Sequence, residues 1–188
     1  MRQTEALLGL YILLIIMAFF RKKHVIYVHI MGWVIVLYNL KEISIFFSIQ
    51  WITVIMPILG VIGYILHFMW LNDCKTGKTL IRAFHYNSKI SINGWAVIYA
   101  ASYEELFWRG LCIIYKLNYF VTICSCILFS FFHITKKNSI KEYIFLFFWA
   151  LSLTAIMDWT SSIINCIIIH IVHNICAVYV SKNLSSEE

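Results

Sequence analysis

Two adjacent carboxylates lie near the middle of a strongly apolar segment of this sequence. Glu104 and Glu105 occur in the run AASYEELFWRGL, and Arg109 follows in the same segment. An ionisable side chain at mid-span costs roughly 2.5–3.5 kcal/mol on membrane-insertion scales, so such residues normally pair with one another or line a wet cavity. The three charges therefore predict either a functional site or a buried network that holds helices together.

Helical spacing gives the two glutamates different surroundings. Residues four apart share a helix face, so Glu105 and Arg109 are expected to form an ion pair within one helix. Glu104 points about 100° away and has no obvious partner on its own helix. A carboxylate left in this position suits a general base or acid.

Two later apolar segments carry polar residues at comparable depth. His133 ends the run FSFFH, and the last segment contains HIVHN, in which His170 and Asn174 are four residues apart and share a face. His173 points elsewhere, which suggests a supporting role or a position at the lipid edge. A lone histidine in an apolar helix is more often an interhelical hydrogen-bonder than a catalyst. The prediction depends on the whole set, whose three helices are expected to converge on one polar pocket.

The composition is that of a membrane protein. Hydrophobic residues make up 62% of the 188 positions and charged residues 13%, whereas soluble proteins average about 45–50% and about 25%. A spanning helix needs about 20 mostly apolar residues. We predict an all-α, polytopic transmembrane helical bundle of about seven spans, within a range of six to eight. The apolar segments are about 5–20, 24–40, 43–71, 94–115, 118–134, 143–157 and 162–180.

Segment lengths and polarity predict how the chain is organised. The third segment is long for one span and contains the only proline, Pro57, so a kink, tilt or break is expected there. The polar stretch 72–93 fits either a short interfacial helix or an ordinary basic loop. The chain is thus divided into N-terminal helices with a basic loop at 1–93, a helical core carrying the polar residues at 94–180, and a polar tail at 181–188.

Basic residues indicate the orientation of the chain in the membrane. The net charge of +6 does not favour nucleic-acid binding, because lysines and arginines stand in short clusters between apolar segments. With the N-terminus outside, the inner segments hold eleven basic residues and the outer segments three. We therefore predict an integral, multi-pass protein with its N-terminus out and its C-terminus in. The Ile/Lys/Asn-rich composition favours a bacterial cell membrane.

The six cysteines do not indicate a metal site. Most of them lie inside apolar segments, and they lack C-x-x-C spacing. We interpret them as small buried hydrophobic residues.

The order of three short motifs resembles a known family. EELFWR, FSFFH and HIVHN, on three motif-bearing apolar segments, are similar to the E-E-x-x-x-R, F-x-x-x-H and H-x-x-x-N/D motifs of the CPBP family. These are CAAX-protease and bacteriocin-processing membrane proteins, also called Abi proteins. The resemblance covers about residues 94–180. Trp108 stands where a phenylalanine is common before the arginine.

The resemblance implies an intramembrane endopeptidase that acts on a peptide or protein substrate in the lipid bilayer. It implies that Glu104 and His133 activate a water, that His170 and Asn174 hold the developing oxyanion, and that Glu105 and Arg109 support the site as an ion pair. Substrates of the family include prenylated C-termini, peptide signals and bacteriocin precursors. No cofactor is expected, and the sequence does not indicate an oligomeric state.

Three alternatives remain open at the level of sequence. Glu104, His133 and His170 could serve as zinc ligands with an open position for water, although H-E-x-x-H is absent. A non-catalytic protein that confers immunity to a bacteriocin by binding it is a second alternative. A transporter with Glu104 as its proton carrier is a third, and it is less favoured because the chain shows no inverted repeat.

Overall fold

The computed structural model describes residues 25–71, 94–133 and 140–185, and the regular structure within these ranges is entirely helical. The predicted all-α class is confirmed for this part of the chain. The helices are α1 (Val25–Tyr38), α2 (Leu40–Ser44), α3 (Met56–Leu71), α4 (Gly94–Ile114), α5 (Tyr119–Phe132), α6 (Ile140–Thr160) and α7 (Ile163–Ser185), with a 3-10 helix at Trp51–Ile55 directly before α3. The first predicted span, 5–20, and the polar stretch 72–93 lie outside the described residues.

Three helical stretches among the described residues are long and apolar enough to cross a membrane. They are Trp51–Leu71, Ile140–Thr160 and Ile163–Val180. Helix α5 is apolar but has 14 residues, and α4 has 21 residues but carries the three charges noted above. The prediction of about seven spans therefore stays a prediction. Helix α6 is longer than the segment 143–157 from which it was predicted.

Many large hydrophobic side chains lie on the outside of the helical bundle. Trp51 and Trp95 are each 83% exposed, and exposed isoleucines, phenylalanines and tyrosines occur along the other helices. Monomeric soluble proteins rarely expose apolar surface on this scale, whereas a bilayer would cover it. Together with the apolar spans, this surface identifies an integral membrane protein.

The third predicted segment is broken ahead of its proline, not at it. Helix α2 ends at Ser44, residues 45–50 are not helical, and the 3-10 helix then leads into α3. Pro57 lies in the first turn of α3, where a missing N–H costs little because first-turn N–H groups lack an intrahelical acceptor. The expected kink at Pro57 is therefore wrong in its position.

The non-helical stretch 45–50 is tied to the turn between α6 and α7. The backbone N–H of Ile163 donates to the Phe46 carbonyl at 2.9 Å. The Gln50 side-chain amide donates to the Thr160 carbonyl at 2.8 Å. These bonds hold the start of α3 beside the start of α7, so the two helices run in the same direction.

Glycines allow α3 to approach α6 and α7 closely. A Cβ at Gly60 would lie 2.7 Å from both the Ile169 carbonyl oxygen and Val172 Cβ on α7, and a Cβ at Gly63 would overlap the Trp149 ring on α6. Small residues are the usual means of bringing membrane helices into contact. The approach matters for function because α3 brings a histidine to the side of α7.

Helix α4 occupies the centre of the described bundle. Every residue from Phe107 to Ile113 is buried, and α4 contacts α1, α2, α5 and α7. A tight turn with Lys116 and Leu117 at positive φ (53° and 55°) leads into α5. The Asn118 side chain caps α5 by accepting from the Phe120 backbone N–H at 3.0 Å. The charged motif of α4 is thereby enclosed by neighbouring helices.

Candidate active site

A fully buried ion pair forms the inner part of the site. Arg109 Nε lies 2.9 Å from Glu105 Oε2, and both side chains are 0% exposed. The intrahelical contact predicted from the spacing is present. A third group joins from α7, where His170 Nδ1 lies 2.8 Å from Glu105 Oε1. The Glu105 carboxylate thus links α4 to α7.

Glu104 lies on the accessible side of the same cluster. Its Oε2 is 3.3 Å from His133 Nε2 and 3.7 Å from His170 Nε2, so one carboxylate oxygen faces two imidazole rings from different helices. The side chains of Glu104 and His133 remain 25% and 30% exposed. The two adjacent glutamates therefore differ in environment: the Glu105 side chain is fully buried beside a cation, whereas the Glu104 side chain is partly exposed although its Oε2 is buried.

The hydrogen-bond partners determine which nitrogen of each ring faces Glu104. His133 Nδ1 lies 2.8 Å from the Phe129 carbonyl oxygen, which can only accept, so Nδ1 carries a hydrogen. His170 Nδ1 donates in the same way to the Glu105 carboxylate. Both rings consequently present Nε2 to Glu104. In each neutral ring this Nε2 is the basic nitrogen.

One phenylalanine packs against three members of the site. Phe129 is 1% exposed, and its ring centroid lies 4.4 Å from that of His133 and 6.0 Å from that of His170. The Arg109 guanidinium carbon lies 5.5 Å from the same ring centroid, within cation–π range. The first residue of the FSFFH run therefore orients the histidines and screens the cation.

Asn174, the remaining predicted site residue, lies one helical turn after His170 on α7. Its side-chain oxygen is 3.3 Å from His173 Nδ1. Its role in binding an oxyanion stays a prediction. His173 itself is 5% exposed and packs inside the bundle, so the suggested position at the lipid edge is wrong.

A second histidine cluster adjoins the first, and sequence reasoning missed its key member. His67 of α3 lies with Nδ1 3.3 Å from His173 Nε2. Its ring stacks on Phe145 at a centroid distance of 4.1 Å and an interplanar angle of 4°, while His173 packs on Trp149 at 4.7 Å. The available signal was a histidine inside the long apolar segment 43–71. That signal is weak, because it has no motif partner nearby in the sequence.

Metal ligation is not indicated by the arrangement of the described side chains. Within residues 25–71, 94–133 and 140–185, no group of three or more His, Cys, Asp or Glu side chains is placed to hold a metal ion. The described cysteines are unbridged and buried or half-buried, in agreement with their interpretation as small hydrophobic residues. They are Cys112, Cys124, Cys126, Cys166 and Cys176.

Comparison with known proteins supplies independent information about this site. A protein-family model described as "Type II CAAX prenyl endopeptidase Rce1-like" matches residues 87–176, just under half of the chain. The matched segment contains all six predicted site residues. The resemblance to CAAX-protease membrane proteins is thereby confirmed. No curated protein and no solved structure gave a significant match.

Proposed function

We propose that this chain, which an Rce1-like family model matches over residues 87–176, is an intramembrane endopeptidase that activates water with Glu104 and His133. The observation that carries the proposal is the position of Glu104 Oε2, 3.3 Å from His133 Nε2 and 3.7 Å from His170 Nε2, on a side chain that remains 25% exposed. A general base needs a proton-accepting atom within reach of water and of its partner. Glu104 combines the contact with its partner, made by a buried Oε2, with a side chain that is partly exposed, whereas the Glu105 side chain is 0% exposed.

The proposed reaction needs no covalent acyl-enzyme and no reactant other than the peptide and water. Water loses one proton to the Glu104–His133 pair while its oxygen attacks the peptide carbonyl carbon. The tetrahedral intermediate then collapses, the C–N bond breaks, and the proton passes to the departing amine. His133 can take part because the Phe129 carbonyl occupies its Nδ1 and leaves Nε2 facing Glu104.

His170 and Asn174 are proposed as donors to the oxyanion. With its Nδ1 hydrogen directed at Glu105, His170 can donate from Nε2 only when the ring carries both hydrogens. The Glu105 carboxylate accepts the Nδ1 hydrogen and so holds the ring in this orientation, as a carboxylate does for the histidine of a hydrolytic triad. Loss of one oxyanion donor typically costs about 10²–10³ in kcat.

A prenylated C-terminal peptide is the proposed first substrate to test. The support is the family description, which names prenyl endopeptidases, and the apolar surface beside the site. Phe131 and Phe132, which immediately precede His133, are 59% and 40% exposed. A lipid-modified peptide could approach along such a surface, as could an unmodified apolar peptide signal or bacteriocin precursor.

Orientation in the membrane is also a proposal, with the N-terminus out and the C-terminus in. It is supported by the excess of basic residues in the predicted inner segments. The hydrogen bonds between residues 46–50 and 160–163 agree with this topology, in which both regions are on the same side. Cleavage would then occur towards the cytoplasmic side. Protease protection of a tag fused to the C-terminus in sealed right-side-out vesicles tests this, and digestion of the tag from outside would reverse the assignment.

The decisive experiment replaces Glu104 with Gln in the full chain. Purified parent and variant are assayed on a fluorogenic C-terminal peptide with and without a prenyl group. We expect Glu104→Gln to lower turnover by about 10²–10⁴, the range for loss of a general base, with unchanged abundance in the membrane. The matched control is Glu42→Gln, at an exposed position of α2, which should behave as the parent.

The outcomes separate catalysis from binding. Turnover that survives Glu104→Gln overturns the proposed role of this carboxylate. If neither peptide is cleaved by the parent, but the variant keeps a bacteriocin-immunity phenotype in cells, the non-catalytic binding protein becomes the better explanation.

A further inference from the structure

A chain of polar contacts leads from α3 to the end of the predicted oxyanion site. His67 Nδ1 lies 3.3 Å from His173 Nε2, and His173 Nδ1 lies 3.3 Å from Asn174 Oδ1. Asn174 is one turn from His170, on the same face of α7, by its i, i+4 spacing. The chain therefore joins a residue outside the matched family segment to a proposed oxyanion donor.

The hydrogen bonds along this chain of polar contacts can run in two directions if both histidine rings are neutral. In the first, His67 Nδ1–H donates to His173 Nε2, His173 Nδ1–H donates to Asn174 Oδ1, and the Asn174 amide hydrogens remain available. In the second direction His173 Nε2–H donates to His67 Nδ1, and the Asn174 amide nitrogen donates to His173 Nδ1. The Asn174 oxygen then turns away from His173. The first direction leaves both amide hydrogens of Asn174 available to an oxyanion, whereas in the second direction one of them is bound to His173 Nδ1 and the amide oxygen, which cannot donate, is turned away from His173.

The buried His67 ring, at the start of this chain of polar contacts, favours the first direction. His67 Nε2 is buried and has no hydrogen-bond partner among the described residues. In the second direction this atom would carry a hydrogen, and a buried N–H without an acceptor is costly and rare. In the first direction it is a bare lone pair, which an aromatic environment tolerates better. The unpartnered atom thus favours the Nδ1–H form of His67.

Packing holds both rings in the geometry that the chain requires. The His67 ring stacks on Phe145 at 4.1 Å and 4°, and it is nearly parallel to the His173 ring at a centroid distance of 5.3 Å and an angle of 14°. His173 also contacts Tyr64 edge-on at 5.7 Å and Trp149 at 4.7 Å. Within the described part of the chain, the ion pairs of histidine with carboxylates involve His133 and His170 only. The second pair of rings is therefore suited to orienting a neighbour, not to moving a proton.

We propose that His67 is a positioning residue for the reaction: through His173 it holds the Asn174 oxygen away from the site, so that the Asn174 amide hydrogens face the developing oxyanion. This inference rests on the proposed function. It assigns the α3 helix a part in turnover that none of the three sequence motifs indicates.

The first test reads the tautomers directly and does not depend on activity. Ring-¹⁵N-labelled histidine is incorporated into the full chain, and the His67 and His173 resonances are assigned by comparing the parent with His67→Phe and His173→Gln. We expect both rings to be neutral with hydrogen on Nδ1. Hydrogen on Nε2 of His67 would overturn the inference, whatever the activity of the protein.

The second test compares a variant that lacks both ring nitrogens with a variant that restores a donor near one of them. His67→Phe keeps the stacked ring but removes Nδ1, and His67→Asn restores an amide donor near the Nδ1 position. We expect His67→Phe to lower kcat about tenfold with little change in KM, less than complete loss of an oxyanion donor. His67→Asn should recover most of the rate, which a purely structural role of the ring would not explain.

A double-mutant cycle with Asn174→Ala completes the argument. If His67 acts through Asn174, adding His67→Phe to Asn174→Ala should lower kcat by less than about twofold, because the shared effect is already lost. Full additivity, or parent-like kcat in His67→Phe, would overturn the inference while leaving the role of Glu104 intact. Survival of activity in Glu104→Gln would instead remove the proposed function. The ¹⁵N measurement would still decide the direction of the hydrogen bonds from His67 to Asn174.

Discussion

Two histidine clusters stand one helical turn apart on α7, and they differ in charge. His170 contacts both glutamates of α4, and Arg109 balances one of them. His173 contacts His67 and a wall of aromatic rings. The first cluster combines carboxylates with partial exposure, which water activation requires. The second combines neutral rings with close packing, which serves to fix geometry.

The partner helix accounts for the difference between the clusters. Helix α4 brings three charges to His170, and they remain stable in an apolar bundle because two of them form a buried pair. Helix α3 brings His67 and a glycine face that lets Trp149 approach. One helix, α7, thus carries reactive and orienting histidines three residues apart. Four experiments test whether the two clusters differ in this way.

The largest effect is expected from the buried ion pair of the first cluster. Glu105→Gln leaves the Arg109 cation buried without its counter-ion, and breaking a buried pair in this way typically costs about 3–5 kcal/mol. We expect low abundance in the membrane and a lower unfolding temperature in detergent. The double variant Glu105→Gln/Arg109→Met should recover abundance but not turnover, because His170 still lacks its carboxylate. A parent-like unfolding temperature for Glu105→Gln would contradict the supporting role of the pair.

The next effect concerns the ring that faces Glu104. His133→Gln keeps a polar group near the Nε2 position but removes the basic nitrogen, so turnover should fall by about 10²–10⁴. Stability should change little, since the side chain is 30% exposed. Steady-state kinetics are compared with His67→Phe, for which about a tenfold loss is expected. Equal losses in the two variants would erase the distinction between the clusters.

A smaller effect is expected from the helix contact that supports the second cluster. Gly63→Ala would push a Cβ into the Trp149 ring, and overpacking of this kind costs about 1–3 kcal/mol. Thermal unfolding should reveal the loss. Gly94→Ala is the matched control, because a Cβ there meets no atom within 4 Å. Equal stability of the two variants would show that α3 and α6 do not depend on this close approach.

No effect is expected from removal of metal ions. The proposed water activation uses a carboxylate and an imidazole, and the described side chains include no three-ligand group placed for a metal. Prolonged dialysis against a chelator should leave turnover unchanged. Loss of turnover that zinc restores would favour the alternative in which Glu104, His133 and His170 act as zinc ligands.

Sequence reasoning succeeded where local spacing controls the structure. The i, i+4 relation predicted the contact of Glu105 with Arg109, which lies within one helix. Apolar lengths predicted α4, α5 and α7 to within a few residues for most of their ends. The break in the third segment was misplaced, because Pro57 is compatible with a first turn and the bonds that hold residues 45–50 come from a distant turn.

From the sequence alone it follows that charges are concentrated in one apolar helix and that histidines follow in two others. Charge and helical periodicity are properties of local sequence, so these features needed no tertiary information. The contacts of His170 with both glutamates, and of His67 with His173, become visible only in the folded bundle. Such contacts depend on how glycines and aromatic rings let separate helices approach, and no spacing along the chain encodes that distance.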